Sequence, residues 1–320
     1  MRGADYIIKR TAFALITVFV AITLNFVLFR ALPGDTIANL SKVPGATPQL
    51  RAELTEEFGL DQSKWQQYWI YLGQLAHLNL GVSFSSTEPV TSEVGRAVVN
   101  TVPMVLLGTV FSVVFGTITG VLAAWKRRTL LDHGSVSLAL IFYSLPTHWL
   151  GLMLLLLTAG ILPRGGRTDE FLFNPTFTEH MIDIGKHMLL PSLTLGLVLY
   201  GQYTLVTRSA MLETLGEDFI LTARAKGMRD RTIVRRHAFR NAMLPIITLV
   251  ALSFGYIVAG SILIETVFSW PGVGLLVSRS VQRRDWPVLQ GAFLVLTISV
   301  VFFNYVADLL YFKLDPRITT

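Results

Sequence analysis

Residues 11–29 read TAFALITVFVAITLNFVLF. Only Asn25 and a few threonines interrupt the run, and at 1.5 Å per residue a helix of this length covers about 28 Å, close to the hydrocarbon thickness of a bilayer. It is too long for the apolar part of a cleavable leader and lacks a small-x-small cleavage site just downstream, so it reads as a retained signal-anchor helix. Working outward, five further stretches have the same character: Val102 to Trp125, Val136 to Ala159, Leu189 to Val206, Ile246 to Ile264 and Leu289 to Phe312. The predicted fold class is all-α, a polytopic membrane protein with six transmembrane helices. Pro103, Pro146, Pro191 and Pro245 fall within or beside these stretches, where a missing N–H kinks or starts a helix; Pro146 is the one expected inside a span.

The composition agrees. Of 320 residues, 52% are apolar and only 15% charged, and the mean hydropathy is +0.54. A soluble chain carries about 25% charged residues, so a soluble enzyme, a nucleic-acid module and a disordered chain are excluded. The net charge of +6 matters through its placement. The absence of cysteine rules out a disulfide framework, a thiolate metal site and a cysteine nucleophile.

Positive residues near span ends resist translocation and set orientation. With six spans, one side collects Arg2, Lys9 and Arg10, the turn Lys126-Arg127-Arg128, eight positives between Arg208 and Arg240, and Lys313 with Arg317. The other side mixes its positives with Asp35, Glu53, Glu56, Glu57, Asp61, Glu88 and Glu93 over about twice the length. Both termini are therefore expected in the cytoplasm. Residues 1–100 are expected to form one region, the first span with a large extracytoplasmic loop, and residues 101–320 a five-helix core with a cytoplasmic loop at 208–244. In the outer loop Arg51 to Leu60 and Trp65 to Leu78 have helical patterning. Trp65, Tyr68, Trp69 and Tyr71 fit either a membrane-interface belt or the cover of a small helical core.

The loop between spans four and five carries the most informative local pattern. Glu217-Asp218 opens a short apolar run and Arg224-Ala225-Lys226-Gly227 closes it, so acids stand at the start and bases at the end of a two-turn helix. Asp218 is the expected N-cap and Gly227 the residue just past the helix end. Phe219, Ala223 and Gly227 recur every four residues, which predicts one face for a closely approaching partner. A second basic helix is expected over Asp230 to Asn241. A basic loop that only obeys the charge rule and touches anionic lipid is the alternative.

Thr222-Ala223-Arg224-Ala225-Lys226-Gly227, followed by Arg235-Arg236-His237-Ala238-Phe239-Arg240-Asn241-Ala242-Met243-Leu244-Pro245, resembles the cytoplasmic signature of importer permeases of the ATP-binding-cassette class, above all the dipeptide and oligopeptide branch. The likeness extends to Leu32-Pro33-Gly34-Asp35, Gly59-Leu60-Asp61 with Gln67-Tyr68, Leu80-Gly81-Val82-Ser83-Phe84, Glu265-Thr266-Val267-Phe268-Ser269-Trp270-Pro271-Gly272 and Asp315-Pro316-Arg317. One departure is visible: the wider class begins its signature with Glu-Ala-Ala, where this chain has Leu221-Thr222-Ala223. The resemblance implies the type I importer permease fold in a bacterial plasma (inner) membrane, with a coupling helix that contacts an ATPase subunit through Asp218, Thr222, Ala223, Arg224, Ala225, Lys226 and Gly227. It implies a second homologous permease, two ATP-binding subunits and an extracytoplasmic substrate-binding protein as partners. Short peptides are the expected substrate, with nickel chelates or oligosaccharides as alternatives within the family. The chain itself is expected to be no enzyme and to hold no cofactor. It has no G-x-x-x-x-G-K-[ST] loop, so ATP and Mg belong to the partner subunits.

The outer segment Glu265 to Gly274 is expected to form a gate or a binding-protein contact through Glu265, Phe268, Trp270, Pro271 and Gly272, with Val273 to Ser280 a short surface helix. Trp270-Pro271-Gly272-Val273 reads as a β-turn with Pro second and Gly third, and a plain external turn is the alternative. His180, Asp183 and His187 have helical spacing for a metal but sit on a charged, solvated face. His148 either lines the path or bonds a carbonyl freed by Pro146. Asp308, with Asn304 on the same face, is expected to pair with Lys313. No convergent catalytic set marks an intramembrane enzyme. A self-sufficient secondary transporter, the alternative class, would show repeats and ionisable groups in broken spans.

Overall fold

A computed structural model describes residues 2–31, 52, 55, 56, 59 and 61–314. Among them helices account for nearly all regular structure, with one isolated bridge between Val82 and Pro89. The segments 32–35 and 315–317 and most of the helix expected over 51–60 lie outside the described residues.

The apolar stretch 11–29 sits in α1 (Arg2–Ala31), whose Phe13, Leu15, Ile16 and Phe19 point outward on a surface suited to lipid. α2 (Lys64–Ala76) is started by a capping box in which Ser63 and Gln66 exchange hydrogen bonds. Its Tyr68 hydroxyl lies 2.7 Å from that of Thr23, and the Tyr68 ring is 5.2 Å from that of Phe26. Tyr68 and Tyr71 thus cover α1, while Trp65 and Trp69 stay exposed, so the two readings of this aromatic cluster divide between its members.

α3 (Val90–Trp125) and α6 (Phe177–Leu215) form the most extensive helix pair. Both run well beyond their apolar stretches; α6 starts at a Thr176/Glu179 capping box and its 39 residues reach about 58 Å. α3 passes through residues 100 and 101 unbroken, so the boundary expected there coincides with no break in secondary structure. Pro103 and Pro191 sit inside these helices rather than at their starts. Gly116 and Gly120 let the backbones touch: a Cβ on Gly120 would lie 2.6 Å from the Thr204 carbonyl oxygen, and one on Gly116 2.7 Å from Tyr203 Cβ. In lipid, where apolar burial drives helices together weakly, such small-residue seams supply the contact.

The third apolar stretch is broken. α4 (Leu130–Ser144) and α5 (Thr147–Leu157) meet at 106°. Pro146 removes an N–H and pushes Leu145 to an extended ψ of 133°, so it ends one helix and starts another instead of kinking a single span. His148 follows on the exposed side of α5 and makes no hydrogen bond among the described residues.

α7 (Asp218–Ala225) leads through a single turn at Asp230–Thr232 and a π-helical stretch, Ile233–Ala238, directly into α8 (Phe239–Gly260). Pro245 lies within α8. Then come α9 (Ile262–Val267), α10 (Val273–Arg283) and α11 (Trp286–Leu314), which packs along α1 and α8. Among the described residues, four helices are long and apolar enough to cross a membrane, and the α4–α5 pair makes a fifth candidate.

Candidate functional site

The loop expected on the cytoplasmic side is compact. α6 stops at Gly216, and after Glu217 the chain turns directly into α7. The N-cap is Glu217, with ψ at 150°, and Asp218 is the first helical residue rather than the cap; its carboxylate still stands in the first turn, where it complements the positive end of the helix dipole. The helix end is as expected. Gly227 has φ of +72°, its N–H bonds the Arg224 carbonyl at 2.9 Å, and the Met228 N–H reaches back to Ala223 at 3.3 Å. These paired bonds are a Schellman motif, which glycine enters without strain.

α7 is held from below. Ile220 and Ala223 are buried against Met211, Ile233, Val234 and Ala238. Ala223 therefore faces inward, and Phe219, Ala223 and Gly227 do not form one outward face. Exposed instead are Phe219, Leu221, Asp218, Thr222, Arg224, Ala225, Lys226 and Gly227. The basic helix expected over Asp230 to Asn241 is not separate: beyond the short connection 226–229 its π-helical turn merges into α8 without a further break.

Beside this loop, Arg208 on α6 holds Asp132 at the start of α4 with two bonds, Nε to Oδ1 at 2.6 Å and a second guanidinium N–H to Oδ2 at 3.0 Å. The Arg128 N–H adds a third at 2.9 Å. This bidentate, largely buried pair fastens the turn after α3 to α6.

At the opposite end, Glu265 on α9 is completely buried. Its Oε1 accepts from Thr101 Oγ1 at 2.7 Å and Ser261 Oγ at 2.9 Å, and its Oε2 from the N–H groups of Gly274 and Leu275 at 2.6 and 3.1 Å. The carboxylate thus stands at the N-terminus of α10, where unpaired N–H groups and the dipole favour an anion. Burial pushes its carboxyl above the usual carboxylate range, against the pull of the hydrogen bonds from Thr101, the Leu275 N–H, Ser261 and the Gly274 N–H.

Trp270-Pro271-Gly272 is not the expected β-turn. Gly272 is extended, with φ of −99° and ψ of −172°, and its N–H closes on the Trp270 carbonyl at 2.7 Å, a three-residue turn centred on Pro271. Gly272 is required for another reason: a Cβ there would fall on Thr101 Oγ1 and the Glu265 carboxyl. The Trp270 indole donates to the Asn100 carbonyl at 3.0 Å, and Asn100 Nδ2 donates to Pro271 at 2.9 Å. Glu265, Phe268 and Trp270 are buried and Pro271 partly so. These residues are a framework, and the surface above them is α10. At its far end Asp285 accepts from Ser83 Oγ at 2.7 Å and from the Phe84 and Ser85 N–H groups at 3.1 and 2.9 Å.

Sequence reasoning missed Thr101, Asp285 and the Asp132–Arg208 pair. The G-x-x-x-G spacing of Gly116 and Gly120 was a readable sign of the α3–α6 seam. Asp308 pairs with Arg10 of α1 at 3.2 Å; Lys313, expected as its partner, has a side chain outside the described residues. Asp183 accepts from the Asp169 N–H at 2.8 Å and lies 3.2 Å from His187 Nδ1, and no three metal-ligating side chains converge among the described residues.

Comparison with known proteins places this architecture. Residues 116–320 match the family profile described as binding-protein-dependent transport system inner membrane component, and residues 4–106 match its N-terminal counterpart. The dipeptide transport system permease protein DppB of Escherichia coli (strain K12) is 38% identical over 334 residues, 98% of each chain. The di/tripeptide transport system permease protein DppB of Pseudomonas aeruginosa (strain UCBPP-PA14) is 37% identical and the glutathione transport system permease protein GsiC of Escherichia coli (strain K12) 34%, again over 98% of each chain. Among solved structures, the inward-facing MetNI methionine ABC transporter matches 71% of this chain and 99% of its own with a TM-score of 0.56 at 19% identity, a likeness of fold. The chain belongs to the family of binding-protein-dependent transport system inner membrane components.

Proposed function

We propose that this chain forms one half of the translocation path of an ATP-driven importer for short peptides. The carrying observation is the capped α7, presented on the surface and joined to the two long helices by short connections, residues 216–217 on one side and 226–229 on the other. An element that transmits motion has to be ordered and stiff, whereas a loop that only touches lipid has no use for such caps. In this reading six helices cross the membrane, with α4 and α5 sharing one crossing and α8 serving as the fifth, and both termini are cytoplasmic. Asp218, Thr222, Arg224, Ala225, Lys226 and Gly227 meet a cleft of a cytoplasmic ATPase subunit, while Ala223 anchors the helix from beneath. ATP and Mg bind in two such subunits, a second homologous permease completes the path, and an extracytoplasmic protein delivers the substrate. Full-length similarity to permeases named for dipeptides, di/tripeptides and glutathione supports peptides as cargo.

Glu265, Phe268, Trp270, Pro271 and Gly272 support the outer gate rather than touch the delivering protein. ATP-driven domain movement would reach them through α8 and α9. The test is extraction from the native membrane in mild detergent with mass spectrometry of stoichiometric partners. A second permease and P-loop ATPases are expected. Recovery of this chain alone or as a homodimer would overturn the reading in favour of a secondary transporter.

A further inference from the structure

Resting on that importer reading, and in particular on α8 entering the membrane from the cytoplasmic side, we propose that the π-helical turn ahead of α8 binds the phosphate of an anionic lipid through Arg231, Arg235, Arg236 and the Thr232 hydroxyl. These four residues line an open cleft of about 450 Å³. The arginines are solvent-exposed and Thr232 is half-buried. None of the three stands within ion-pair distance of a carboxylate among the described residues, whereas Arg224 and Asp230 just before them face each other at 4.0 Å. The hydroxyls of Thr222 and Thr248 each donate to the carbonyl four residues back, while that of Thr232 makes no hydrogen bond among the described residues.

The winding of the chain brings these groups together. In an α-helix Arg235 would lie about 40° around the axis from Arg231, but Arg236 about 140° away, on another face. Over Ile233–Ala238 the backbone bonds span five residues instead of four, as where the Phe239 N–H meets the Val234 carbonyl. The wider turn sets residues i+4 and i+5 on either side of residue i, and Arg236 accordingly shares the cleft with Arg231. Three cations crowded on one patch repel one another until an anion arrives. Their positions are imposed from behind: Ile233, Val234 and Ala238 are buried against Met211, Ile220 and Ala223.

Phosphate suits this set of donors, because guanidinium forks take its oxygens two at a time and a hydroxyl can donate to a third. Depth selects a lipid phosphate over a free one. Arg236 precedes Ala242, where the apolar run of α8 begins, by six residues, or about 9 Å. The headgroup layer fills roughly 5–7 Å of that distance, and the arginine stem spans the remainder. A free phosphate would meet an open cleft in competition with water, where exposed ion pairs contribute little. Lipid phosphates are already concentrated at this level of the inner leaflet. The charge rule alone asks for positives on this side; it requires neither a π-helical turn nor three arginines on one face.

The purified transporter in neutral detergent, stripped of lipid and titrated with dioleoylphosphatidylglycerol, tests this by native mass spectrometry of the lipid it retains. In Arg235→Gln/Arg236→Gln the apparent affinity for the first lipid bound is expected to fall on the order of tenfold. Lys126→Gln/Arg127→Gln, which removes the same charge from another turn on that side, is expected to change it by less than about threefold. Thr232→Val is expected to weaken it by about threefold, and phosphatidylcholine and excess inorganic phosphate to leave the bound lipid in place. Equal losses in the two Gln variants would overturn the proposal by reducing the site to diffuse charge, and displacement by inorganic phosphate would overturn it in favour of a free anion. Unchanged lipid binding with loss of an ATPase subunit from Arg235→Gln/Arg236→Gln would overturn it as well, and assign the arginines to that interface. A complex that contains no ATPase subunit at all ends the importer reading whatever lipid it binds, whereas a complete complex indifferent to these arginines ends only the lipid site.

Discussion

Thr101 and Glu265, 164 residues apart in the chain, meet across a 2.7 Å hydrogen bond, and the same threonine oxygen accepts the Val273 N–H at 2.9 Å. One hydroxyl therefore ties α3, α9 and the start of α10 together. Thr101→Val keeps the shape but takes a donor from Glu265 and an acceptor from Val273, which should lower stability by about 2–4 kcal/mol. Thr91→Val, at an exposed position of the same helix, should shift it by less than about 0.5 kcal/mol. Thermal unfolding of the detergent-solubilised protein compares the two.

The raised pKa of Glu265 fixes the sign of a pH effect. A carboxyl whose folded value exceeds its ordinary 4.5 contributes stability that is fully present below that ordinary value and is lost as pH rises through the folded one. The α9–α10 region should therefore resist limited proteolysis better at about pH 5 than at about pH 8, and Glu265→Gln should remove the difference. A profile unchanged by Glu265→Gln would assign the effect to another group.

At Gly227 the penalty for a side chain is conformational, because a Cβ there meets nothing within 4 Å. Gly227→Val forces a β-branched residue into the left-handed region at roughly 1–2 kcal/mol, and Gly227→Asn, which tolerates that region, should suffer less. If α7 transmits force, the Val variant hydrolyses more ATP per molecule taken up and the Asn variant stays near normal. Paired uptake and hydrolysis assays decide; full uptake in Gly227→Val would count against the coupling role.

Arg208→Ala strands the Asp132 carboxylate, which is 5% exposed, without its bidentate partner. The expected loss is about 1.5–3 kcal/mol, and removing both charges together in Asp132→Asn/Arg208→Gln should cost well under the sum of the single changes. A double-mutant cycle on thermal unfolding measures the coupling.

Four of the expected spans were legible as membrane-length helices because an apolar run long enough to cross hydrocarbon is a local property of sequence. Their ends were less so: α3 and α6 continue into polar flanks, although Thr176 with Glu179 wrote a capping box in plain view. Residues 144–147, Ser-Leu-Pro-Thr, carried the break between α4 and α5, yet the apolar average across it concealed the bend. Gly227 could be read because a helix end is local. Ala223 could not be placed, since its inward turn depends on Met211 and Ile233. The Glu265 cluster lay beyond reading for the same reason, as its partners come from three separate segments.

The glycine seam between α3 and α6 bears on how the molecule can move. With Gly116 and Gly120 in backbone contact with the opposite helix, sliding α3 against α6 would break a tightly fitted seam, and Arg208 ties α4 to α6 beside it. α3 and α6 behave as one stiff strut, and the freedom to change shape must lie at its borders: at the 106° elbow between α4 and α5, at the π-helical turn below α8, and along the looser contact of α1 with α11. Spectroscopic distance labels on α3 and α6 would then keep a constant separation through a turnover cycle while labels spanning α6 and α8 change theirs.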